Sequence, residues 1–169
     1  DEGRPPLTSW LVLHGLVLTI WYVLIVVQSA LIGIARAPAR VDIHRRLGMA
    51  SALVVIAALW TGTVVSIEFY RGGAGDVVIS AQALLFANLV NLIGFTTCFV
   101  LGFAARKRPQ VHKRYMTWAS VVIIGPATFR LATLLGLPPA TAALGQLVFI
   151  AILFGYDVRR FRRVQKPTW

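Results

Sequence analysis

Two basic triplets, His44-Arg45-Arg46 and His112-Lys113-Arg114, stand where polar sequence gives way to long apolar runs. Imidazole is a common metal ligand and titrates near neutrality, while guanidinium groups grip carboxylates and phosphates through paired hydrogen bonds. A histidine followed at once by such cations has the parts to hold an iron and to neutralise acidic groups on the same ligand. Laid together without a gap, HRRLGMASALVVI and HKRYMTWASVVII share the histidine, a basic residue, an arginine and a small-residue step before an aliphatic run. The strings form an internal repeat. If both begin helices that cross a membrane in the same direction, the two imidazoles lie at one depth near one face. There they can bracket a haem iron, or they can be ordinary interfacial residues among headgroups.

The elements that must position these groups follow from composition. The chain has 169 residues, 57% of them hydrophobic and 14% charged, and its mean hydropathy is +0.74. Such values belong to an integral membrane protein, not to a soluble domain. The net charge of +11 is concentrated at the ends of apolar runs, so it reads as a topology signal and argues against nucleic acid as a partner. With Cys98 as the single cysteine, an intrachain disulfide, a CxxCH haem attachment and a thiolate cluster are excluded, and any haem must be held non-covalently.

Five apolar segments are expected as helices, over residues 7–35, 47–69, 77–105, 115–137 and 141–158. About 20 helical residues cross a hydrocarbon core, so four segments are ample and the fifth is near the lower limit. The first is too long for a signal-peptide core and lacks a cleavage motif; the chain begins at Asp1 without Met, which leaves its natural N-terminus open. The expected fold is all-α: a single transmembrane domain over 1–169, an up-down four-helix core with a fifth helix packed on it. Gly94 and Gly102, or Ala50 and Ala57, are candidates for close helix approach. Turns are expected at Gly72-Gly73-Ala74-Gly75-Asp76, Leu137-Pro138-Pro139, Ala37-Pro38-Ala39 and Arg108-Pro109.

Orientation follows from lysine and arginine. Arg36, Arg40, Arg45 and Arg46 lie between the first two segments; Arg106, Lys107, Arg108, Lys113 and Arg114 lie between the third and fourth; Arg159, Arg160, Arg162, Arg163 and Lys166 form the tail. Arg4 and Arg71 lie opposite. The positive-inside rule places the N-terminus outside and the C-terminus and both triplets in the cytoplasm. Trp10 and Tyr70 on one side, and Tyr115, Trp118 and Tyr156 on the other, supply interfacial belts.

Other polar residues have structural and functional readings side by side. Arg130 lies about 27 Å beyond His112 along a helix, near the outer side where Glu68 ends the second segment, so a structural ion pair between Glu68 and Arg130 is expected, with a substrate or quinone contact as the other reading. His14 reads as an interhelical hydrogen-bond partner before a ligand. Asp42 and Asp157, beside arginines, read as surface ion pairs. The tail reads as an anchor touching anionic lipid.

The string His44-Arg45-Arg46-Leu47-Gly48 resembles the HRxLG-type helix start of the cytochrome b561 superfamily, and Leu13-His14-Gly15-Leu16 looks like the HGxLM-type start of that family's first core helix. The resemblance implies a four-helix core with two haems, one held by first- and third-helix histidines and one by second- and fourth-helix histidines. His44 and His112 match the second and fourth positions and His14 the first. The third is missing: this chain has Ser80, Gln82 and Asn88 there. A closer likeness is carried by Arg108-Pro109-Gln110-Val111-His112-Lys113-Arg114-Tyr115-Met116 with Arg130, which resembles a family of uncharacterised bacterial multi-helix membrane proteins with repeated HxR helix starts; it brings no established activity and implies a multi-pass protein of the bacterial inner membrane.

Two functions stay open. As an electron carrier, the chain would hold one b-type haem through His44 and His112, with Arg40, Arg45, Arg108 or Arg114 on its propionates and a quinone or other redox partner at a membrane face. As a non-catalytic accessory subunit, it would pack with other membrane subunits of a respiratory or photosynthetic assembly. Transport is the weaker class, since no inverted repeat with paired broken helices is visible. No catalytic triad, HExxH, phosphate-binding loop or paired carboxylate motif is seen, so whether the chain is an enzyme stays open.

Overall fold

The computed structural model describes residues 8–33, 38–72, 80–138 and 140–164. Every element among them is helical: α1 (Ser9–Gly33), α2 (Pro38–Arg71), α3 (Ala81–Ala104), α4 (Pro109–Val122), α5 (Gly125–Leu134) and α6 (Ala140–Phe161), with a 3₁₀ turn at Ala105–Lys107 after α3. Five helical stretches are long and apolar enough to cross a membrane, and α4 with α5 forms one of them. Leu7, Ala35, Val77, the 73–76 part of one expected turn, Ala37, Pro139, Arg4, Arg36 and Lys166 lie outside the described residues.

Two boundaries differ from expectation for local reasons. The second helix starts at Pro38, not at 47. Proline suits a first helical position because its missing N–H has no partner to lose there, and Asp42 then pairs with Arg46 one turn on. Apolarity marks where a helix enters a membrane; it does not mark where the helix begins. The fourth stretch, expected unbroken over 115–137, stops at Val122 and resumes at Gly125. Pro126 cannot donate to the Val122 carbonyl four residues back, Ile123 takes φ −88° and ψ 0°, and the Ala127 N–H bonds to the Ile124 carbonyl.

The chain gathers into two compact units, Asp1–Val90 and Asn91–Trp169, divided inside α3. In the first, α1 packs on α2. Trp21 is 1% exposed, and α2 buries Ser51, Val55, Ala58, Gly62 and Val65, a heptad-like stripe of mostly small side chains that lets two backbones approach. Ala50 is exposed, so the close-approach stripe runs one residue later than the expected Ala50 and Ala57. In the second unit the expected glycines do serve: a Cβ on Gly94 would meet Val122 at 3.0 Å, and one on Gly102 would meet Met116 at 2.8 Å and Tyr115 at 3.0 Å. Phe95 and Ala119 are fully buried there. On the last helix pair, Gly145 lies against Thr128, and Gln146 Nε2 donates to the Val121 carbonyl at 3.2 Å, supplying a donor at the helix break.

Candidate functional site at the second histidine triplet

The last carbonyls of any helix lack an intrahelical donor. Because α3 gives way to a 3₁₀ turn, Gly102 and Phe103 are among these. Arg106 donates to the Phe103 carbonyl at 3.3 Å, and His112 Nδ1 lies 2.8 Å from the Gly102 carbonyl oxygen. A carbonyl can only accept, so Nδ1 carries the proton. In the neutral ring Nε2 is then the lone-pair nitrogen, as in metal-binding histidines whose other nitrogen donates to a backbone carbonyl. Gly102 makes this possible twice over, since its missing side chain admits Tyr115 and Met116 of α4 and its carbonyl orients the ring.

The third residue of the triplet has a different fate. Arg114 is 6% exposed and Asp157 2% exposed. The Nη2 and Nε atoms of Arg114 reach the two Asp157 oxygens at 2.5 and 3.4 Å, and Nη1 donates to the Gln110 carbonyl at 2.9 Å. The guanidinium also lies 5.3 Å from the Phe161 ring centroid. Asp157 is therefore a buried interhelical partner, not the surface ion pair expected of it. The reason is tertiary: α6 packs on α4 and excludes water from both groups. For a haem propionate to use Arg114, it would have to compete with this carboxylate. Lys113, the middle residue, sits over Tyr156 at 5.4 Å and Phe161 at 6.0 Å.

The first triplet belongs to the other unit. His44 lies six residues beyond Pro38 in α2 and is half-buried, whereas His112 lies three beyond Pro109. Arg45 is exposed, Arg40 half-buried and Arg108 exposed. Arg46 pairs with Asp42 at 2.9 Å, both side chains open to the surroundings, the surface pair the spacing implies.

His14 of α1 meets α2: its Nδ1 is 2.9 Å from Thr61 Oγ1. The Thr61 hydroxyl donates to the Ala57 carbonyl at 2.8 Å, so its oxygen accepts from His14, and the interhelical role expected for this histidine is met. Glu68, in the first unit, accepts from the Thr8 hydroxyl at 3.0 Å; Arg130, on α5 of the second, is exposed.

Asp157 is the only acidic residue after Asp76, a signal in the sequence that marks it as more than a chance neighbour of arginines. Gly125-Pro126 in mid-segment likewise announces the helix break. Nothing local marks Gln146 as the side chain that answers it. Among the described residues no three His, Cys, Asp or Glu side chains gather to hold a metal ion, so a metal role for a histidine here needs a cofactor that brings most of its own ligands. No protein-family model, curated protein or solved structure matches the chain.

Proposed function

We propose that the chain is a membrane electron carrier that binds one b-type haem, with His112 as an axial ligand; His44, its counterpart in the repeat, is the other histidine that the spectroscopic test examines. One observation carries this reading: the Gly102 carbonyl accepts from His112 Nδ1, the kind of hydrogen bond that orients metal-binding histidines. Haem fits this donor, because the macrocycle supplies four ligands and asks the chain for one or two. When bound, its iron supplies one-electron chemistry. The chain's part is to fix the His112 ring by hydrogen bond and packing, and to balance propionate charge with Arg108, Arg45 or Arg40. Arg114 does not fit the propionate role while Asp157 holds it.

The same hydrogen bond favours a second reading. Arg106 and His112 cap adjacent carbonyls of α3, and a capping histidine needs no iron; the chain would then be a packing subunit among other membrane subunits. An absorption spectrum of the purified full chain separates the two. The haem reading expects a low-spin b-type spectrum that is lost in His112→Ala and in His44→Ala and kept in His14→Ala. A wild-type chain made in a haem-replete host and showing no such spectrum, or an unchanged spectrum in His112→Ala, would leave only the capping role.

A further inference from the structure

The unit Asn91–Trp169 contains one carboxylate side chain, Asp157, among many cations. Arg114 takes both of its oxygens, and the pair is sealed from the surroundings. Asp157 is thus matched by Arg114, and the four arginines that follow it in the sequence outnumber it. Arg159, Arg160, Arg162 and Arg163 are all exposed.

Two of them share a concavity. Helix α6 ends at Phe161, and the Arg162 N–H closes on the Val158 carbonyl at 2.9 Å, with Arg162 at φ 55°. That left-handed turn sets Arg162 beside Arg159, and with Val158 they line a shallow, open depression. An apolar stripe leads to it along α6. Val148, Ile152 and Val158 are 56%, 59% and 54% exposed, and no atom lies within 4 Å of where a Cβ on Gly155 would stand. An open apolar track that ends in two guanidinium groups has the polarity of a phospholipid.

We propose that this end of α6 binds an anionic membrane lipid, its phosphodiester between Arg159 and Arg162 and an acyl chain along Val148, Ile152 and Gly155. Guanidinium pairs suit phosphate oxygens because they offer parallel donors. Selectivity against zwitterionic lipid follows from the charge inventory. A choline or ethanolamine ammonium beside the phosphate site would be repelled by the neighbouring exposed cations Arg160 and Arg163, a cost that a lipid without an ammonium does not carry. The apolar track selects a lipid over a soluble phosphate.

The test uses the full chain, delipidated in a neutral detergent, and reads the thermal unfolding midpoint as lipid is added. Phosphatidylglycerol should raise the midpoint saturably, while phosphatidylcholine and glycerol phosphate at equal concentration should not. In Arg159→Gln/Arg162→Gln the phosphatidylglycerol concentration for half the shift should rise about tenfold or more, equivalent to about 1.4 kcal/mol or more. Arg106→Gln/Lys107→Gln, in the turn after α3, should keep the wild-type response. If the glutamine pair does not fold, Arg159→Lys/Arg162→Lys replaces it and should show a weaker response than wild type, because lysine keeps the charge and loses the fork. The proposal fails if phosphatidylcholine acts equally, if glycerol phosphate acts equally, if the Arg106/Lys107 variant loses as much as the Arg159/Arg162 variant, or if the latter responds like wild type.

Discussion

His44-Arg45-Arg46 and His112-Lys113-Arg114 are the same motif in two surroundings, and the third residue shows the contrast most clearly. Arg46 pairs with a carboxylate one turn away on its own helix, with its side chain 81% exposed. Arg114 pairs with a carboxylate 43 residues away on another helix, with its side chain 6% exposed. The first pair is a local convenience of helix spacing, weakened by water and by the entropy of two long side chains. The second joins helices. Chemistry of residue type is shared by the two triplets, while the energy attached to each residue depends on what covers it.

The largest effect should come from splitting the covered pair. Arg114→Leu or Asp157→Asn should destabilise the chain by about 3–5 kcal/mol, since each strands a buried charge or its partner; unfolding in detergent measures it. Replacing both with apolar residues should cost less than the sum of the singles, because neither charge is then left unpaired. Additive losses would erase the contrast between the triplets.

A smaller effect is expected where the second triplet's histidine meets its carbonyl. Gly102→Val should cost about 1–3 kcal/mol by overpacking against Tyr115 and Met116. It should also disturb His112 more than a matched change remote from α4, visible as a shift of the His112 ring signals in NMR. Unmoved signals would mean that the Gly102 carbonyl does not orient the ring.

Least should follow from the open pair. Asp42→Ala or Arg46→Ala should change stability by no more than about 0.5 kcal/mol, and added salt should reduce even that. A loss comparable with that of Asp157→Asn would show that the first triplet is as deeply engaged as the second.

The places where structure departed from expectation have physical causes that differ. Pro38 and Pro126 act locally, one by starting a helix and one by withholding a donor; both effects are legible in the sequence, but apolarity by itself does not report them. The small-residue stripe of α2 was legible in kind and shifted by one residue, because Ala50 and Ser51 are equally small and only packing selects the face. The burial of Arg114 was hinted at only by the lone late carboxylate Asp157. Its own neighbourhood resembles that of Arg46, and the difference lies on α6.

What the sequence alone determined is the class of molecule and its five apolar helical stretches, because length and apolarity add up residue by residue without reference to anything distant. It also nominated the histidines and arginines. The tertiary structure decided which arginine is spent on a buried carboxylate, which nitrogen of His112 carries the proton, and which side chain answers the broken fourth stretch. Each of these depends on a second group brought near by folding, Asp157, Gly102 or Gln146, and the cost of burying a charge or leaving a donor unmatched is set by that group and not by the residue's own neighbours in the chain.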